Sequence, residues 1–264
     1  MSRLLIFGLG YTASRLADAM AKRGWHVDST GSAGTMAFDD TQAVHEAIAA
    51  ATHIVSSVPP ADGSDPVLGR YGEALGGAWL GYLSSTGVYG DAAGAWVDES
   101  APTGTGRRTA RSESDARWLA LGARAFRLPG IYGPGRSALD RVETGKARRI
   151  DLPGQVFSRV HVEDIVAGVV AAIETDAPAG AYNLADDLPS SQNSVIEEAC
   201  RLLGVAPPPL QTLEEADLSP MARGFYAENR RVANGKAKRV LGWEPQYPTY
   251  REGLANLLGA SAAA

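Results

Sequence analysis

One cysteine, four histidines and five phenylalanines among 264 residues leave several kinds of chemistry without their raw material. The lone Cys200 rules out a disulfide framework and any multi-cysteine metal site. Four scattered histidines offer no coordination set, so no metal is expected. No apolar run approaches the roughly 20 residues needed to cross a bilayer, which speaks against a membrane partner. A basic excess is missing too. Lys and Arg total 25 against 30 Asp and Glu, a net charge of −5, so nucleic acid is not the expected partner. The first residues run directly into a glycine motif, and no leader is expected ahead of them. A reducing, cytoplasmic setting suits a chain with one thiol. Cys200 itself sits in the helical pattern Val195 to Leu203 and reads as core packing.

The chain is rich in glycine, with 30 residues and no period that would suggest a fibrous or low-complexity protein. Such glycines belong in turns, or where backbone approaches a ligand. The hydrophobic fraction of 45% recurs along the whole length, which excludes disorder. In the first half, short apolar runs alternate with helical segments, the mark of βαβ units and a parallel sheet. Strands are expected at Leu4–Phe7, Trp25–Thr30, Thr35–Phe38, His53–Val58, Leu80–Ser85 and Ala125–Leu128. Helices are expected at Ala13–Arg23, from Asp40 as a cap through Val44 and Ile48, and over Ser114–Leu121. Glycine and proline punctuate the second half, with helices at Glu163–Glu174, Ser194–Leu203 and Tyr250–Leu258 and few strand runs. The pattern is α/β: a doubly wound parallel sheet followed by a smaller mixed lobe.

Gly8-Leu9-Gly10-Tyr11-Thr12-Ala13 follows the first strand and opens the first helix. It fits G-x-G-x-x-G/A, in which Gly8 permits the tight turn, Gly10 lets the backbone approach a pyrophosphate, and Ala13 allows close helix–strand packing. Candidate cofactor contacts are therefore Gly8, Gly10, Tyr11, Thr12 and Ala13, joined by Ser57, Val58 and Pro59 where the His53 strand ends. Ser32 and Asp39, beyond the second strand, complete that set. An acid near the end of the second strand would favour NAD and a base NADP. Thr30, Gly31 and Ser32 offer neither, and Asp28 is not clearly aimed there, so the cofactor reads as NAD or NADP without a preference. Arg136, the pairs Arg107-Arg108 and Arg148-Arg149, and Arg230-Arg231 are candidate contacts for a ligand anion, or merely solvated surface.

At Ser85-Thr86-Gly87-Val88-Tyr89-Gly90, Arg127-Leu128-Pro129-Gly130-Ile131-Tyr132-Gly133-Pro134-Gly135, Arg159-Val160-His161-Val162-Glu163-Asp164 and Tyr182-Asn183-Leu184, the chain resembles the extended short-chain dehydrogenase/reductase superfamily. It is most similar to the atypical, NAD-dependent epimerase/dehydratase-like branch of the nucleotide-sugar epimerase group. The resemblance implies a Rossmann domain over 1–133 and 157–186, and a substrate-binding lobe from 134–156 and 187–264. It also implies a small-molecule substrate, nucleotide-sugar-like or otherwise, and a homodimer as a possible assembly.

Members of that family use Ser/Thr, Tyr and Lys for hydride and proton transfer. The Ser/Thr position maps onto Ser85, with Thr86 as the neighbour that could substitute. The Tyr-x-x-x-Lys should follow Glu99, yet Gly104 to Asp115 contains neither residue. Alignment on Asp115 puts Arg107 at the Tyr position and Arg111 at the Lys position. Arg111 can hold ribose hydroxyls, but a guanidinium stays protonated, so Arg107 cannot serve as general base. Tyr132, Tyr89 and His161 are the other proton-transfer candidates. His161 also fits a structural lock in which it bonds backbone and Asp164 caps the following helix. The sequence thus favours an NAD(P)-binding oxidoreductase or epimerase-like protein, with a non-catalytic NAD(P) sensor as the alternative.

Overall fold

The structure, a computed structural model, describes residues 2–106 and 109–262. Arg107 and Arg108, the first aligned with the family's tyrosine, lie outside the described residues. Six strands pair in parallel: β1 (Arg3–Phe7), β2 (His26–Ser29), β3 (His53–Ser56), β4 (Trp79–Ser85), β5 (Arg124–Leu128) and β6 (Gly180–Asn183). Their order is β6-β5-β4-β3-β1-β2. Leu4, Leu5, Ile6 and Phe7 are all buried, because a parallel strand covered on both faces has no side for water. That is why β1 reads as a continuous apolar run rather than an alternating one.

Helices cover both faces. On one side α1 (Tyr11–Ala21), α6 (Val162–Glu174) and α9 (Gly235–Leu241) bury Leu16, Met20, Ile165, Val169 and Leu241. On the other, α2 (Thr41–Ala50), α3 (Pro66–Tyr71) and α4 (Thr109–Ala120) contribute Val44, Ile48, Val67 and Trp118. Asp40 caps α2 by accepting from the Ala43 amide, as its position ahead of the apolar pattern implied. This is a Rossmann-type doubly wound α/β fold. The strand order reverses between the adjacent strands β1 and β3, and α/β proteins place their ligand crevice at such a switch point.

Beyond the sheet, α5 (Ala138–Glu143), α7 (Gln192–Leu203) and α10 (Tyr250–Ala262) pack around Tyr132, Leu139, Val195 and Leu254, and the short α8 (Pro220–Phe225) lies between α7 and α9 in the chain. Cys200 is buried beside Ala147 and Ile196. Two short parallel ladders tie the second half to the first, Gly130–Tyr132 with Arg159–His161 and Trp96–Val97 with Arg231–Val232, and a third, Arg149–Ile150 with Leu210–Gln211, lies within the second half.

The expected strand at Thr35–Phe38 does not form. Met36 makes a single bridge to Thr30, while the Thr35 hydroxyl takes the Ser29 amide that a neighbouring strand would need. Asp164 also departs from expectation. Its carboxylate accepts from the amides of Gln246 (2.6 Å) and Tyr247 (3.2 Å) in the C-terminal segment, and His161 Nδ1 caps α6 through Glu163.

Candidate functional site

The first side of the crevice is the β1–α1 turn. Gly8 has φ +83°, and a Cβ there would meet Val58 at 2.8 Å, so two of the expected cofactor residues touch in a way only glycine permits. The turn is held by the Gly8 amide on Thr30 Oγ1 (3.2 Å) and the Leu9 amide on the Thr30 carbonyl (2.9 Å). Gly10 is the N-cap of α1 and supplies no side-chain acceptor, so the first amides of the helix remain available to a ligand anion. A Cβ on Gly10 would meet nothing within 4 Å, which leaves open space where a pyrophosphate would approach. Ala13 is fully buried against the sheet, and Thr12 lines the cleft. Tyr11 bridges across: its hydroxyl donates to the Pro134 carbonyl (3.1 Å), with the Arg15 guanidinium 4.1 Å from its ring centre.

The end of β2 carries no charge to select between cofactors. Ser32 is exposed, in a loop whose Gly31 lies against Leu9. Asp28 is bound by Arg3 (3.0 Å), and Asp39 forms an ion pair with Arg70 of α3. Asp39 is thereby engaged outside the cleft.

The opposite side is built from β4 and α4. Ser57, Pro59, Ser85, Thr86 and Arg111 line one cleft of about 790 Å³ with Thr12 and Tyr132. Ser85 Oγ accepts from the Gly87 amide (3.1 Å), so its own O–H is left to donate. Arg111 reaches Tyr82 Oη weakly at 3.4 Å. Beneath them lies a buried lock. Asp115 pairs with Arg127 (2.7 Å) and accepts from Ser84 Oγ (2.5 Å), both members of the ion pair being under 5% exposed. Arg127 donates to Tyr89 Oη (3.0 Å), which donates to Asn183 (2.7 Å). Tyr89 is therefore a buried strut between strands, and burial raises its phenol above the ordinary range.

Tyr132 presents its ring to the cleft and turns its hydroxyl towards α10. A Cβ on Gly253 would stand 2.1 Å from that oxygen, which is buried without a hydrogen-bond partner. Burial, reinforced by Asp186, raises its pKa far beyond any working range, so this phenol neither releases a proton nor faces one. His161 meets the Tyr132 ring edge-on and lies tilted against Tyr247, and burial with Arg15 nearby lowers it to about 4.

The far wall was only partly legible in sequence. Arg136, Arg148 and Arg230, three of the candidate anion contacts, line the cleft together with Arg141, Lys146 and Arg159. Arg149 instead binds Glu197 and the Pro208 carbonyl, and Arg231 binds the Gly94 carbonyl. Glu228 is the carboxylate of this lining, and it pairs with Arg230 (2.9 Å). A protein of net charge −5 thus concentrates cations at one cleft, which focuses the field on an anionic ligand. Arg141 and Arg159 were not singled out in sequence. Arg141 sits in a short helix with no motif around it, and Arg159 opens the Arg-x-His-x-x-Asp pattern, which fits a structural lock. Among the described residues, no three His, Cys, Asp or Glu side chains group as a metal site, and no helix is long and apolar enough to cross a membrane.

No known family profile matches the sequence. A solved structure of a functionally unknown conserved protein from Silicibacter pomeroyi DSS is 40% identical, superposes with a TM-score of 0.88, and aligns over 98% of this chain and 99% of its own. The human epimerase family protein SDR39U1, solved with NADPH, shares the fold at 16% identity and a TM-score of 0.76, over 97% of this chain and 99% of its own. A Streptomyces 3-diazoavenalumate denitrifying reductase is 36% identical over 145 residues, which are 51% of this chain and 46% of that protein. The matched stretch is thus about half of the reductase's length.

Proposed function

We propose that this chain, which belongs to the atypical extended short-chain dehydrogenase/reductase family, binds NAD or NADP and acts on a small hydroxyl or carbonyl compound. The observation that carries the reading is the convergence, on one cleft, of an uncapped α1 N-terminus with Ser85, Thr86 and Arg111. The NADPH in the human structure and the name of the Streptomyces reductase support the same direction. UDP-glucose, present in a Thermotoga maritima epimerase of the same fold, makes a nucleotide sugar the substrate suggested by analogy. Residues 1–133 and 157–186 would hold the dinucleotide, and 134–156 with 187–264 the substrate.

Gly8, Gly10 and Thr12 fit a pyrophosphate at the helix N-terminus, with Val58 and Pro59 as the wall beside it. Bound there, the nicotinamide supplies a hydride donor or acceptor. Ser85 donates its free O–H to the reacting oxygen, and Thr86 stands next to it. Arg111, four residues before Asp115 on α4, faces the cleft as a fixed cation suited to ribose hydroxyls. Tyr132 shapes the cleft with its ring rather than its hydroxyl.

The missing Tyr and Lys support a second reading, a non-catalytic NAD(P) sensor. Thermal stabilisation by NADH and NADPH, followed by turnover assays with nucleotide sugars and small carbonyl compounds, separates the two. Binding with turnover that falls in Ser85→Ala supports the enzyme. Binding without turnover, indifferent to that substitution, supports the sensor. Absence of binding to either dinucleotide refutes both.

A further inference from the structure

We propose that Tyr11 is a positioning residue: its hydroxyl on the Pro134 carbonyl and its ring beside Arg136 let a dinucleotide at the start of α1 fix the substrate-side turn of the cleft. The proposal rests on the dinucleotide reading of the glycine loop, and it says how occupancy there reaches the opposite wall.

Gly133-Pro134-Gly135-Arg136 closes on itself, with the Arg136 amide on the Gly133 carbonyl (3.0 Å) and the Gly133 amide on the Arg136 carbonyl (3.3 Å). Pro134 and Gly135, the latter at φ +70°, take the central places, which are the residues a type II turn asks for. Those two bonds do not use the Pro134 carbonyl, and the Tyr11 hydroxyl donates to it at 3.1 Å, across 123 residues of sequence. The approach is close. A Cβ on Gly133 would stand 2.6 Å from that hydroxyl and 2.6 Å from Val162 at the start of α6. Arg136, the last residue of the turn, lines the cleft and lies 5.7 Å from the centre of the Tyr11 ring, within cation–π range.

The ring is held from its own helix as well. Arg15 Nη1 donates to the Tyr11 carbonyl (2.8 Å), its guanidinium lies 4.1 Å from the ring centre, and its Nε reaches Glu163 at 3.4 Å. Burial raises the Tyr11 phenol above its ordinary range, against the pull of Arg15 and Arg136, so the hydroxyl keeps its proton and donates at neutral pH.

The same residue opens α1. Gly10 has no side chain with which to cap the helix, so the amides of the first turn take a ligand anion or water. A pyrophosphate accepting there immobilises the residue whose hydroxyl holds the turn. Pro134, Gly135 and Arg136 are themselves exposed, so burial does not order them and the Tyr11 contact does. With the dinucleotide bound, Arg136 meets a ligand anion from a fixed place. By linkage, a turn held in place favours the dinucleotide in return.

The test follows hydrogen exchange at the Gly133, Gly135 and Arg136 amides of the full chain by NMR, with and without saturating NADPH, beside calorimetric titration of NADPH. In the unaltered protein NADPH should slow exchange there by about threefold to tenfold, the range one hydrogen bond supplies. Tyr11→Phe keeps the ring and loses the hydroxyl, and it should bind NADPH without the slowing. Gly133→Ala, whose methyl would press on the same oxygen, should lose the slowing too. A Tyr11 with only a structural role would raise exchange equally in both states and leave the NADPH effect intact. Slowing that survives either substitution, no slowing in the unaltered protein, or a Tyr11→Phe variant that no longer binds NADPH overturns the proposal and leaves the dinucleotide reading standing. Binding of neither NADPH nor NADH by the unaltered protein refutes that reading, and this proposal with it.

Discussion

Asp115→Ala should destabilise the protein by about 3–5 kcal/mol, the range for breaking a buried ion pair from one side. The carboxylate accepts from Arg127 Nη2 (2.7 Å), Arg127 Nε (3.3 Å) and Ser84 Oγ (2.5 Å). Its removal leaves a guanidinium 4% exposed with Tyr89 Oη as its remaining side-chain acceptor. The uncompensated charge, not the lost attraction, sets the magnitude. For a chain of this size, at roughly 2–4 °C per kcal/mol, the midpoint should fall by on the order of 10 °C in scanning calorimetry. Replacing both members, Asp115→Leu with Arg127→Met, should recover most of the loss, because an apolar pair leaves no charge behind. Asp115 also anchors the helix that carries Arg111, so the single variant should bind the dinucleotide more weakly as well. A loss below about 1 kcal/mol, or a double variant no better than the single, would refute the reasoning.

Gly8→Ala should cost about 1–2 kcal/mol through its positive φ and its clash with Val58, and should abolish dinucleotide-induced stabilisation in a thermal-shift assay. Gly10→Leu should fold normally, since its side chain meets open space, while preventing binding; retained binding would remove the glycine loop from the site. Stability should fall as pH rises from 6.5 to 8. Burial raises the folded-state Asp186 to about 8, so the native state holds a proton the unfolded state has released, and its favourable contribution is lost through that window. The size is about 1.5 kcal/mol, and Asp186→Asn should flatten the slope in urea unfolding. His161, lowered to about 4, and Asp164, raised to about 6, act with opposite signs below pH 6.5 and leave the higher window to Asp186.

Elements with a local cause were legible. The β1 run, the glycine turn, the Asp40 cap and α6 follow from burial on both faces, from positive φ and from helical period. Thr35–Phe38 has the β-branched and apolar residues of a strand, yet the Thr35 hydroxyl and the Met36 amide bond back to Ser29 instead. The candidate site divides in the same way. Gly8, Gly10, Ser85 and Arg111 sit in recognisable motifs, whereas Arg141 and Tyr226 lie 85 residues apart in unremarkable segments and meet at one wall.

Sequence alone determined the doubly wound scaffold and the place of the glycine loop, because periodicity and backbone freedom are properties of neighbouring residues. It also determined that the usual tyrosine and lysine are absent. Tertiary structure decided which groups can act. It turned the Tyr132 hydroxyl into α10, tied Asp39 to Arg70, and gathered Arg136, Arg141 and Arg159 on one cleft. Those outcomes depend on desolvation and on charges brought together from distant segments, which no single stretch of the chain encodes.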